Sequence, residues 1–205
     1  MTQNDPLTTL SRRDIEQLLN PNEADAARLN VSQKLVQHYT ADSIDPTQKQ
    51  LAEQVFRLLV KDTSLEVREM LANNLKKSDL IPKEIILTMT SDVDSVALPL
   101  LSSSSVLTES DLIELVESTQ KVNRHVAIAG RDDVTHHIAE TLIEQSDAAP
   151  VAETLVNNSN AILTQDNFDA ILAKHETSEN VMNALAKRPE LPVAIAEKVI
   201  VHVSD

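Results

Sequence analysis

The chain is 205 residues long with a formal net charge of −14, and it holds one glycine, no cysteine, no tryptophan and three aromatic residues, Phe56, Phe168 and Tyr39. Without cysteine there is no disulfide framework, thiolate nucleophile or cysteine-based metal site, and one glycine leaves almost nothing for primed hairpin turns or glycine-rich phosphate loops. A core so poor in aromatics must be filled by Leu, Ile, Val and Ala, which favours helices over sheets, and the acidity works against phosphate backbones as partners.

Residues 1–60 read as an N-terminal helical segment of three helices. In "SRRDIEQLLN", Ser11 and Asp14 have capping-box spacing, and Ile15, Leu18 and Leu19 form the apolar stripe. In "NPNEADAARLNVSQKLVQHYT", Asn20 and Pro21 mark a start, and Ala26, Leu29, Leu35 and Val36 are spaced for one buried face. In "DPTQKQLAEQVFRLLVKD" the device recurs with Asp45 and Pro46, followed by Leu51, Val55, Leu58 and Leu59.

From about Leu65 the chain repeats. Apolar pairs recur at Leu71–Ala72, Leu100–Leu101, Ile128–Ala129, Leu155–Val156 and Leu185–Ala186, at intervals of 27–30 residues. Four residues before each pair stand Val67, Val96, Arg124, Val151 and Val181, on the same helical face as the first member of the pair. Beyond each pair come a polar stretch and then Pro82, Thr108, Thr135, Thr164 or Pro192, each placed to start a second helix. "TESD" at Thr108–Asp111 has full capping-box spacing. Two helices of ~10 residues with a turn fill that period, and one such hairpin cannot bury its own stripe, so neighbours must share it. The expected fold is all-α: about five helical hairpins over residues 61–205, stacked as a short α-solenoid after the N-terminal segment.

The polar stretches hold Asn73–Asn74, Ser102–Ser103, Gly130 and Asn157–Asn158. Asn and Gly tolerate the left-handed conformation that commonly closes a helix, so the lone glycine is expected to end one. The last copy, with Lys187, Arg188 and Pro189, is expected to end by proline instead.

"DTSLEVREMLANNLKKSDLIP" resembles the Val-Arg…Leu-Ala phrase of HEAT-like and leucine-rich-variant helical repeats. The order of "VREMLANNL", "DVDSVALPLLSSSSVLTESDLIELV", "VAIAGRDDVTHHIAETLIEQSDAAPVAETLVNN" and "LAKRPELP" resembles a bacterial family, domain of unknown function 2336, from about Ala27 to Val203. The resemblance implies an all-helical repeat array and supplies no catalytic residue, cofactor or activity. Members of that family are often longer than this chain, so it also leaves room for a further C-terminal portion.

Few residues invite chemistry. His125, His136 and His137 lie near Asp132 and Asp133, but adjacent helical histidines diverge by about 100°, and the i, i+4 ligand pair of helical zinc sites is missing. Ser102–Ser105 has no flanking glycine to build a nucleophile turn and reads as a polar inter-helix turn. Asp111, Glu114 and Glu117 form an acidic stripe, either a solvated helix face or a docking surface for a basic partner. Arg131 either bonds the C-terminal carbonyls of a neighbouring helix or faces a ligand. Arg124 replaces the valine of the other copies, a departure of the kind found at functional interfaces.

The opening "MTQNDPLTTL" lacks the basic and apolar regions of a signal peptide, and no apolar run reaches the ~20 residues of a membrane span. A soluble, cytoplasmic protein without cofactor or metal is expected. Residues 61–205 hold 24 acidic and 12 basic residues, with no Lys or Arg between Lys83 and Lys121 or between Arg131 and Lys174. The expectation is therefore a non-enzymatic interaction or scaffold module whose candidate contacts are Asp111, Glu114, Glu117, Arg124 and Arg131. Two alternatives stand beside it. One is a HEAT-like nucleic-acid-processing enzyme, which would need a basic channel and aromatic side chains. The other is a structural homo-oligomer.

Overall fold

In the computed structural model, residue 20 and residues 25–40, 44–189 and 191–203 are described, and every regular element among them is an α-helix. The helix expected over residues 11–20, and Pro21, lie outside the described residues apart from Asn20. Contacts divide the chain into two units: Met1–Leu100 with Ser104–Val106, and Leu101–Ser103 with Leu107–Asp205.

The first unit holds α1 (Asp25–Tyr39), α2 (Pro46–Leu59), α3 (Leu65–Leu75), α4 (Lys83–Thr90) and most of α5 (Asp94–Ser103). Asp45 caps α2 by accepting from Thr47 N at 2.8 Å, and Pro46 takes the first turn, where its missing N–H is harmless. α1 packs on α2 and α3, and α3 on α4. The stripe of α2 is rotated from the expected one: Ala52, Val55, Phe56 and Leu59 are buried, whereas Leu51 and Leu58 are 45% and 56% exposed. An aromatic pair sets that rotation, because Phe56 meets the Tyr39 ring edge-on with centroids 5.1 Å apart. The Tyr39 hydroxyl donates to Leu80 O at 2.6 Å, so the buried phenol is satisfied, and burial beside Glu53 pushes its pKa up.

α1 also departs from its expected face. Leu35 and Val36 are buried as expected, but Ala26 is exposed and Leu29 half-buried, and Arg28, Val31, Ser32 and Tyr39 complete the inner side. Arg28 can turn inward because Nε and Nη2 both reach the Asp62 carboxylate at 3.1 Å, so the charge enters the core already paired. On α3, Val67, Leu71, Ala72 and Leu75 face inward. Asn73 and Asn74, expected in a turn, lie within α3 and donate back to Glu69 O and Met70 O at 3.0 and 2.7 Å.

The second unit holds the end of α5 and α6 (Glu109–Glu117), α7 (Val122–Ala129), α8 (His136–Gln145), α9 (Ala149–Asn157), α10 (Gln165–His175), α11 (Glu179–Lys187) and α12 (Val193–Val203). Three of these helices start on a threonine. Thr108 and Thr164 close capping boxes with Asp111 and Asn167, and Thr135 accepts from Ile138 N. Pro82 precedes α4 and Pro192 precedes α12, so all five expected second-helix starts stand where the spacing placed them.

Helices two apart in the chain pack on one another, α7 on α9, α9 on α11, α6 on α8, α8 on α10 and α10 on α12, and consecutive helices also meet, α11 against α12 above all. The recurring apolar positions supply the seams. Val67, Val96, Val151 and Val181 are buried, as are all members of the five pairs except Ala186, which is exposed while Ala184 turns inward. In α7 the half-buried Arg124 yields the inner place to its neighbour His125.

Candidate functional site

Carbonyls at the end of an α-helix have no helical donor. A left-handed cap was expected at the Gly and Asn stops, but Gly130 and Asn158 cap α7 and α9 with φ of −84° and −78°, while α11 ends on an extended Arg188 before Pro189, as expected. Side chains from the following helix pair do that work instead. Arg131 Nη1 donates to Leu101 O at 2.9 Å, at the end of α5. Asn158 Nδ2 donates to Ala129 O at 2.9 Å and Arg131 O at 2.7 Å, at the end of α7. Arg188 Nη1 donates to Leu155 O, Val156 O and Asn158 O at 3.1, 2.7 and 2.9 Å, and its Nη2 to Ala161 O at 2.8 Å, at and beyond the end of α9. Each donor stands three residues after the first member of its apolar pair. The result is a ladder running from α5 through α7 and α9 to α11.

Arg131 is thus the anchor rather than the ligand-facing residue. It is 3% exposed, and Nε and Nη2 hold both Asp133 carboxylate oxygens at 2.7 and 2.8 Å. Those bonds keep the Asp133 carboxyl below its ordinary value. Buried this way, Arg131 is unavailable as a surface contact. Arg124 lies half-buried on α7. The Asp111 side chain accepts from Thr108 N at 2.8 Å, so its carboxylate is a helix cap and not an open docking group. Glu114 and Glu117 remain exposed on α6, whose Leu112 and Val116 face inward. The expected stripe therefore reduces to two carboxylates.

The histidines have structural places. His125 is buried with Nε2 at 3.1 Å from Val116 O and 2.9 Å from Thr119 O, so it serves the end of α6. His137 Nδ1 donates to Glu109 Oε1 at 2.9 Å, and that bond with the one from Thr135 holds the Glu109 carboxyl low. His136 stacks on His137 with centroids 3.9 Å apart. Among the described residues no group of three or more His, Cys, Asp or Glu side chains is arranged to hold a metal ion. Ser102 and Ser103 end α5, and Ser104 is its buried C-cap.

One cleft of about 420 Å³ opens beside the last rung of the ladder. Ala161 and Phe168 are buried at its floor, Leu163 and Arg188 are half-buried, and Ile162 and Pro189 are exposed at the rim. The Arg188 guanidinium lies 5.6 Å from the Phe168 ring centroid, a cation–π contact. Burial among neutral groups lowers the Arg188 pKa. The sequence offered a signal for this residue: aligning the third position after the first member of each pair brings Arg131, Asn158 and Arg188 into one column.

Residues 96–205 match the model of a family described as an uncharacterised protein conserved in bacteria, domain of unknown function 2336. No curated protein and no solved structure matches the chain. Among the described residues no helix is long and apolar enough to cross a membrane.

Proposed function

The chain belongs to this bacterial family, and from that premise we propose that it is a non-enzymatic protein-interaction or scaffold module, a HEAT-like α-solenoid whose acidic surface engages a partner protein. The observation that carries the reading is the ladder of Arg131, Asn158 and Arg188. Side chains committed to joining one helix pair to the next suit an array whose purpose is to hold a continuous surface in a fixed geometry. The charge balance supports a basic partner protein over nucleic acid, since residues 61–205 carry twice as many acids as bases, 24 against 12. Glu114 and Glu117 are the docking candidates, being exposed.

The test is affinity capture from a bacterial lysate with the native chain and with the Glu114→Lys/Glu117→Lys double variant, read by mass spectrometry. Asp111 is left intact to preserve the helix cap. The reading expects a discrete partner that is lost from the variant. Identical captured sets would refute the acidic face as the docking surface.

A further inference from the structure

Arg28, Arg68 and Arg131 each turn the same edge of the guanidinium, Nε with Nη2, onto an aspartate carboxylate. The partners are Asp62, Asp92 and Asp133, at 2.6–3.2 Å. That edge is the one whose two parallel N–H groups match a carboxylate. Arg188 departs from the pattern. Its four bonds all go to neutral carbonyls through Nη1 and Nη2, and Nε takes part in none of them. Nη2 uses one of its two N–H groups on Ala161 O. Among the described residues no Asp or Glu forms an ion pair with Arg188, a half-buried cation, so none of them occupies its carboxylate-matching edge.

That edge belongs to a residue lining the 420 Å³ cleft, whose lining mixes the polar Ser159 with the apolar side chains of Ala161, Ile162, Leu163, Phe168 and Pro189. Ile162 at the rim is 60% exposed, an aliphatic side chain standing in water beside a cation. We propose that the cleft seats an acidic side chain of a partner peptide, its carboxylate on the Nε–Nη2 edge of Arg188 and a neighbouring aliphatic side chain against Phe168, Leu163 and Ile162. The choice of a peptide rests on the protein-interaction reading. The open rim suits a chain segment crossing the cleft, since a small molecule is usually enclosed over most of its surface. In so acidic a chain the cleft also selects, because an acidic segment is repelled from most other surfaces.

The test titrates the ¹⁵N-labelled full chain with a blocked pentapeptide of alternating Leu and Glu, following amide shifts. The same peptide with Gln for Glu, and hexanoate, are run in parallel. The Glu peptide is expected to give saturable shifts at Ile162, Leu163, Phe168 and Arg188, and the Gln peptide to bind at least about tenfold more weakly. Ile162→Asp, at an exposed rim position, is expected to weaken the Glu peptide by a similar factor. Arg188→Lys keeps the charge and removes the fork, and is expected to do the same. Should that variant fail to fold, the Glu–Gln comparison on the native chain decides. Equal affinity for the two peptides, shifts confined to other residues, or hexanoate binding as tightly as the Glu peptide would each overturn the proposal. Failure here with partner capture intact removes this site alone, and peptide binding without a captured partner removes the acidic-face reading alone.

Discussion

Asn158 is the ladder rung most open to a clean perturbation. Replacing it with Ala removes Nδ2 bonds to Ala129 O and Arg131 O, at 2.9 and 2.7 Å, and the Oδ1 that accepts from Asn160 N at 3.0 Å. At about 0.5–1.5 kcal/mol net apiece the loss is about 3 kcal/mol. The two amide donations dominate, because the carbonyls they serve lie at the end of α7, where no helical donor is available. Asn158→Asp is the sharper variant. It is nearly isosteric and keeps an acceptor for Asn160 N, but it sets an oxygen against two carbonyl oxygens. It should therefore cost at least as much as Ala, and recover part of the loss below about pH 4, where a protonated carboxyl can donate. Urea unfolding followed by far-UV circular dichroism gives the stability, and amide hydrogen exchange in α7 and α9 locates it. An Asp variant within about 0.5 kcal/mol of the native chain would refute the idea that amide donation joins these helices.

Gly130→Ala should be neutral or stabilising by up to about 1 kcal/mol, because φ is −84° and the nearest atom to an added Cβ is Val126 O at 3.5 Å. Clear destabilisation in a thermal melt would mean that the glycine is needed after all. Phe56→Ala should cost about 3–5 kcal/mol and Leu58→Gln less than about 0.5, by urea unfolding, because only the first side chain meets the core. Comparable costs would restore the stripe read from the sequence. The Asp133 carboxyl has a folded pKa below its ordinary 3.8, so its contribution is present above that value and is lost as the pH falls through the lower, folded one. Stability below pH 3.8 should therefore fall more steeply in the native chain than in Asp133→Asn, and parallel profiles in acid melts would contradict the Arg131–Asp133 pairing.

What could be read from the sequence was what is local. Thr108, Thr135 and Thr164 announce helix starts because each hydroxyl serves an amide three residues ahead, inside the window that spacing inspects. The valines at 67, 96, 151 and 181 were legible for the same reason, one turn ahead of each pair. The rotation of α2 was not. Leu51 and Leu58 satisfy helical periodicity as well as Ala52 and Phe56 do, and the Tyr39 ring on another helix decides between them. The stops were legible in place and illegible in conformation. Gly130 and Asn158 do end helices, but Asn158 and Arg188 take the waiting carbonyls, which removes the need for a left-handed cap. At the candidate site, Arg131 was read both as an anchor and as a contact, and its bond to Leu101 O is that of an anchor, while Asn158 and Arg188 were read only as helix stops and not as donors in the same column. Asp111 was read as part of a stripe although its own capping box already engaged it.

The interaction reading is tested most directly by calorimetric titration of the captured partner, once purified, against the native chain and the Glu114→Lys/Glu117→Lys variant at low and physiological salt. Two exposed carboxylates reversed in sign should weaken binding at least about tenfold at low salt, with the gap narrowing as salt rises. Equal affinity of both chains at both salt concentrations would contradict the account.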